Sequence, residues 1–170
     1  MNAGEVTSMV IIPKQVSEMM STQKFIVIGS IDINGMCNLS PRTAFHFTED
    51  AIYWLDFFKH KSHYNFINVP WISVAVFDKE NLKGYQMKGK VSFVKNDKEK
   101  TRMIDTISRS TTGKTCSKVF ERISHASQPE LIMFKPHAVY SLNPAEDSGT
   151  AIEIDNDPET VSLLGTKSSS

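Results

Sequence analysis

Period-2 alternation of apolar and polar residues dominates the middle of this chain, and helical periodicity is confined to short stretches around it. Phe25–Ile31 is a β-branched run that predicts a buried strand. It ends at Asp32-Ile-Asn34-Gly35, and Asn-Gly is a strong hairpin signal. Met36 to Phe47 follows as one alternating strand. Cys37, Leu39, Pro41, Thr43, Phe45 and Phe47 share one face; Asn38, Ser40, Arg42, Ala44 and His46 share the other. Ala51–Phe58 is apolar except for Asp56, and Trp71–Asp78 is a fourth strand. In Gly84–Val94, Tyr85, Met87, Val91 and Phe93 oppose Gln86, Lys88, Lys90 and Ser92. Leu131–Leu142 reads as a last strand broken at Lys135-Pro136.

Helices are expected at three places among these strands. Pro13 suits the first turn of a helix over Lys14–Thr22. Ser62 can cap a short helix from His63 to about Asn68, ended by Pro70. Asn96-Asp-Lys-Glu99 resembles a capping box and launches a helix with Met103, Ile104 and Ile107 on one face. Ser110–Gly113 interrupts it, and a second stretch aligns Val119, Phe120 and Ile123. Six or so strands with hairpin-length connections predict a mainly β fold with flanking helices, an antiparallel barrel closed or nearly so. The expected division is a barrel domain over 1–144, with a helical insert at about 96–127. Residues 145–170, acidic and then serine-rich, form a tail expected to be partly disordered.

Charge narrows the partners. Nineteen basic and nineteen acidic residues cancel over 170 positions, so no long-range field draws in nucleic acid or an anionic membrane. A phosphate-bearing ligand must be held by local groups, which points to a small molecule. No apolar stretch approaches the roughly 20 residues of a membrane helix, and no signal peptide is legible, so a cytoplasmic location is expected. Cys37 and Cys116 belong to no CxxC pair; they read as bystander thiols in a reducing compartment, with a single disulfide as the alternative.

Two short segments hold the candidate chemistry. Arg42 shares a strand face with Asn38 and Ser40, and its guanidinium fork suits phosphate; the plain alternative is a solvated face with a surface ion pair. Lys61 and Ser62 sit at the mouth of a short helix, where free N–H groups, a hydroxyl and an ammonium make an anion site, or simply a helix cap. His60 and His63 flank it, but no third ligand is near in sequence, so no metal is expected. Trp54, Phe57, Phe58 and Trp71 offer flat surfaces to a planar ring or serve as core aromatics. Asp56 needs a partner on its apolar strand, in a lysine, an arginine or a ligand hydroxyl. Gln86, Lys88 and Lys90 form a polar stripe on the barrel exterior. No nucleophile elbow, P-loop or dinucleotide fingerprint is present, so any redox chemistry calls for a cofactor.

Taken in order, FIVIGSI, the D-x-N-G turn, N-L-S-P-R-T, KSHYNFINVP, V-A-V-F and G-Y-x-x-K-G-x-V resemble the FMN-binding split barrels of the pyridoxamine 5′-phosphate oxidase-like family. The resemblance runs from about Pro13 to Val94 and more loosely through the last strand. It implies a six-stranded split barrel, and a homodimer with FMN at the subunit interface. It also implies that Arg42, Lys61 and Ser62 hold the FMN phosphate. By the same resemblance Ser40, Pro41, Arg42 and Thr43 approach the ring, and Asp56 and Phe57 line the ribityl chain. Asn65 matches the family's helix asparagine, and Gln86 is a further cofactor contact. The expected activity is an FMN-dependent oxidoreductase passing hydride or electrons from a reduced nicotinamide, NADH or NADPH, to a small acceptor. The alternative is a non-catalytic flavin or haem binding protein or electron carrier, with His137 as the haem-side candidate. The family's oxidases end in an Arg-rich segment; here no arginine follows Arg122, so vitamin B6 oxidation is not expected.

Overall fold

Among the described residues the strands are β1 (Ile26–Ile31), β2 (Cys37–Arg42), β3 (Phe45–Phe47), β4 (Ile52–Asp56), β5 (Trp71–Asp78), β6 (Lys83–Phe93), β7 (Glu130–Ser141) and β8 (Ala151–Ile154). Seven of them pair antiparallel in the order β2-β1-β5-β6-β7-β4-β3, and β8 adds to β7. The helices are α1 (Lys14–Gln23), α2 (Lys61–Asn68), α3 (Asp97–Ser110) and α4 (Pro158–Leu164). These come from a computed structural model that describes residues 10–58, 60–110, 129–146, 149, 151–156 and 158–164. The expected helical stretch around Val119–Ile123 lies outside the described residues, as does Cys116.

The strand expected from Met36 to Phe47 is two strands. β2 and β3 lie at opposite ends of the sheet's pairing order, yet only Thr43 and Ala44 separate them in the chain. Two residues cannot span a flat sheet of seven strands, so the sheet curls until its edges meet there. This is the seam of a split barrel. The β1–β2 hairpin is present, but its loop runs over residues 32–36 and is organised by Asp32. Its Oδ1 accepts hydrogen bonds from the N–H groups of Asn34 (2.8 Å) and Met36 (2.9 Å). Gly35 takes the left-handed conformation, φ 79°, that Asn-Gly foretells.

Apolar packing divides into two clusters. The barrel interior holds Ile26, Ile28, Trp54, Val74, Met87 and Phe134, plugged by Val16 and Met20 of α1. A second cluster joins Tyr53 and Leu55 on the outer face of β4 to Met103 and Ile107 of α3 and to Leu131. β4 is therefore covered on both faces, which explains its unbroken apolar run. Asn96 caps α3 as its sequence predicts: its Oδ1 accepts the Glu99 N–H at 3.1 Å.

β7 is continuous through Lys135-Pro136, contrary to the expected break. Its register against β6 shifts between Lys88 and Gly89, so that His137 becomes the extra residue of a bulge. Gly89 faces Pro136, and a Cβ on Gly89 would lie 2.0 Å from the Lys135 carbonyl oxygen. Glycine opposite proline lets the strand pass without a ladder hydrogen bond at that point. In the segment expected as a tail, β8 pairs with β7, and α4 follows it.

Candidate functional site

β2 is amphipathic in the opposite sense to an ordinary barrel strand. Asn38, Ser40 and Arg42 are half-buried on its inner side, while Cys37, Leu39 and Pro41 are exposed. The polar side meets α2 and the end of β4. Asn38 Nδ2 donates to Ser62 Oγ at 2.9 Å. Arg42 Nη1 donates to Ser40 Oγ and, at 2.9 Å, to the Pro41 carbonyl.

A cavity of about 240 Å³ opens between these elements. Ser40, Pro41, Arg42, Thr43 and Ala44 line it from β2 and the seam; Leu55, Asp56, Phe57 and Phe58 line it from the end of β4; His60 and Ser62 line it from the start of α2. Arg42 and Asp56 interact electrostatically across it. Burial holds the Arg42 guanidinium below its ordinary pKa, opposed by Asp56. Burial pushes the Asp56 carboxyl above the ordinary carboxylate range, against the pull first of Arg42 and then of His63.

α2 begins at Lys61, two residues earlier than a Ser62 cap implies. His60 is the N-cap and makes no side-chain capping hydrogen bond. Ser62 lies in the first turn, where its hydroxyl oxygen accepts from Asn38 and its own proton stays available. Backbone N–H groups at this helix start add to the Arg42 guanidinium and the Ser40, Thr43 and Ser62 hydroxyls. This donor set suits a phosphate. At about 240 Å³ the cavity falls short of the roughly 300–1,000 Å³ of whole small-molecule pockets. Its size suits one small anionic group, and Phe58 in its lining stacks on His60 at 5.3 Å.

Seven of the ten residues expected to contact a cofactor thus meet at one cavity: Ser40, Pro41, Arg42, Thr43, Asp56, Phe57 and Ser62. Three do not. Lys61 is exposed at the helix start and off the cavity lining. Asn65 is buried and donates through Nδ2 to Ser30 Oγ at 3.0 Å, fastening α2 to β1. Gln86 Nε2 donates to Ser73 Oγ at 3.0 Å on the β5–β6 ladder. Among the flat side chains, Trp54 is a core residue packed edge-on to Phe66, and Trp71 lies against His137 with Lys90 over its ring.

Sequence reading weighed His63 only as a metal ligand beside His60 and missed Glu130. His63 Nδ1 lies 3.5 Å from both Asp56 Oδ2 and Glu130 Oε2. The lone carboxylate on an apolar strand was the available signal, since it demanded a partner, and α2 supplies one alongside Arg42.

The outward side of the hairpin is the other unusual surface. Ile33, Met36 and Leu39 are 76, 69 and 75% exposed. A shallow cavity of about 640 Å³ runs beside them, lined by Ile31, Cys37 and Leu39 from the hairpin, Trp71 and Ser73 from β5, and Leu163 from α4.

A family model described as pyridoxamine 5′-phosphate oxidase matches residues 12–146. No curated protein sequence shows significant similarity to the chain. Among solved structures, HupZ of Group A Streptococcus superposes with a TM-score of 0.63 at 13% identity, covering 82% of this chain and 100% of its own. HutZ of Vibrio cholerae, described as a haem storage protein, gives 0.61 at 16%, covering 74% and 91%. A Clostridium acetobutylicum protein related to general stress protein 26 of the pyridoxinephosphate oxidase family gives 0.62 at 10%, covering 78% and 88%. Identities this low speak for a shared fold. Among the described residues, no helix is long and apolar enough to cross a membrane.

Proposed function

The chain belongs to the pyridoxamine 5′-phosphate oxidase family, and on that premise we propose that it binds flavin mononucleotide with the phosphate in the Arg42–Ser62 cavity. The observation that carries the reading is the convergence of a half-buried arginine, three hydroxyls and a helix start without a side-chain cap on one small cavity. Arg42, preset by Ser40 and the Pro41 carbonyl, supplies a charge-assisted fork. Ser62, held by Asn38, supplies a hydroxyl donor. Asp56 and Phe57 line the path from the phosphate toward the mouth, and Phe58 offers an exposed apolar face there. Lys61 adds a solvated positive charge at the rim.

When bound, FMN supplies hydride and electron transfer. The protein's part is to bind, orient and shield, and the activity proposed is an oxidoreductase fed by NADH or NADPH and serving a small acceptor. The exposed apolar side of the β1–β2 hairpin suits a second copy of the chain, and this supports a cofactor site near a subunit boundary, as the family resemblance implies. The barrel with its helical insert, 1–144, is the cofactor domain in this reading, and β8–α4 is its C-terminal extension.

The test is a visible spectrum and flavin titration of the purified protein. Flavin absorption, and an FMN affinity reduced about tenfold to a hundredfold in Arg42→Ala, support the reading; that range matches the roughly 1.5–3 kcal/mol of a charged hydrogen bond. A colourless protein that ignores added FMN refutes it, and unchanged affinity in Arg42→Ala refutes the position of the phosphate. Bleaching by NADH or NADPH without oxygen separates an oxidoreductase from an electron carrier.

A haem-binding reading draws on one separate observation. His137 Nδ1 is held 3.2 Å from the buried Asp155 carboxylate, an arrangement that orients a ligating imidazole. It predicts a Soret band on haem titration that His137→Ala abolishes.

A further inference from the structure

Behind the phosphate cavity stands a group of charges that phosphate binding alone does not require. Asp56 faces the cavity on one side and His63 on the other, and its side chain is 8% exposed. His63, 7% exposed, turns Nδ1 to Asp56 Oδ2 and Glu130 Oε2, each at 3.5 Å. These two carboxylate oxygens are buried without a hydrogen-bond partner. Among the described residues no group of His, Cys, Asp or Glu is arranged to hold a metal ion. One imidazole nitrogen lies between two buried carboxylate oxygens.

The surroundings set the charge balance. Arg42 reaches the cluster from β2, Asp56 from β4 and Glu130 from β7. On α2 itself, His60 and Lys61 precede His63, and Tyr64 packs edge-on against it. Phe93 of β6 covers the imidazole with an apolar ring at 5.3 Å. Glu130 also borders a second cavity of about 330 Å³ with Lys95, Asp97 and Lys100.

We infer that capture of a phosphate dianion by Arg42 is coupled to uptake of one proton by the Asp56–His63–Glu130 cluster, so that cofactor affinity falls as pH rises. The inference rests on the cofactor reading above. Arg42 and the His63 imidazole face two carboxylates, of which Asp56 is almost fully buried. A bound phosphate engages the Arg42 donors and adds two negative charges beside Asp56. Negative charge added beside a buried carboxylate favours its protonated form, and the cluster takes up a solvent proton. Burial already favours that form of Asp56, and Arg42 is the largest influence opposing it.

Calorimetric titration of the full chain with FMN at pH 8, in two buffers of different ionisation enthalpy, counts the protons. FMN phosphate is a dianion there, its second pKa being about 6, and brings no proton of its own. The expected uptake is about 0.5–1 proton per FMN, with Kd rising by up to about tenfold per pH unit between pH 7 and 8.5. Riboflavin, which lacks the phosphate, takes up none. Glu130→Gln retains FMN binding and loses more than half of the uptake; His63→Gln behaves alike. FMN binding without proton uptake, equal uptake with riboflavin, or undiminished uptake in both variants overturns the coupling and leaves the cofactor reading standing. No FMN binding anywhere between pH 5.5 and 8.5 overturns the cofactor reading, and the coupling with it. The wild-type contrast between FMN and riboflavin decides the matter where a variant fails to fold.

Discussion

Asn38 Nδ2 donates a 2.9 Å hydrogen bond to Ser62 Oγ, and this contact ties the seam strand β2 to the first turn of α2. The two residues are 24 positions apart, and each comes from a segment whose polar face looks like solvent-facing surface in isolation. Because Ser62 accepts this bond, its own O–H proton is free to point into the cavity. Asn38→Ala is expected to lower stability by about 1 kcal/mol in urea denaturation. FMN affinity, read by flavin fluorescence, is expected to fall about threefold to tenfold, because Ser62 loses the bond that orients it.

Leu39 is the most exposed apolar side chain of β2, beside Met36 and Ile33. Exposed apolar side chains grouped in this way suit the proposed docking of a second copy. Leu39→Asp is expected to convert the proposed dimer to a monomer in size-exclusion chromatography with light scattering. The far-ultraviolet circular dichroism should stay unchanged, because the side chain contributes nothing to the core.

Gly89 admits no side chain. A Cβ there would sit 2.0 Å from the Lys135 carbonyl oxygen, and backbone cannot yield as a flexible side chain does. Gly89→Ala is expected to cost about 2–3 kcal/mol by forcing the β6–β7 ladder apart at its bulge. Thermal unfolding measures it as a lowered Tm.

Asp56 titrates above the ordinary carboxylate range in the folded chain, through burial. Between its unfolded and folded pKa values the native state therefore binds more protons than the unfolded state, and stability falls as pH rises through that window. Asp56→Asn removes this titration. The stability of the variant relative to wild type is expected to improve steadily from pH 4 upward and level off above the folded pKa. Urea denaturation at several pH values measures it; a variant that loses stability relative to wild type as pH rises contradicts the assignment.

Much of this was legible in local pattern. Alternation in Tyr85–Phe93, the Asn-Gly turn and the Asn96 cap each express a preference of a few neighbouring residues, and each appears in the fold. What misled was also local. Met36–Phe47 reads as one strand because nothing within it shows that a closing sheet must turn a corner at Thr43–Ala44. Pro136 reads as a break because the glycine that accommodates it lies on another strand. Ser62 reads as a cap because the Asn38 amide that engages it comes from the preceding hairpin.

By itself, the sequence determined most of the strands, the barrel class and the family, through periodicity, turn chemistry and an ordered run of short motifs. It also marked Asp56 as a carboxylate in need of a partner, and Arg42 and Ser62 as candidate anion-binding groups. Only the tertiary structure decided what surrounds them. Asn65 proved to be a brace on Ser30, Gln86 a rung beside Ser73, and His63 with Glu130 the company of Asp56. The physical reason is that burial and electrostatics depend on distances through space. Curling the sheet brings residues 40, 56 and 62 to one cavity and residue 130 behind it, and no reading along the chain contains those distances.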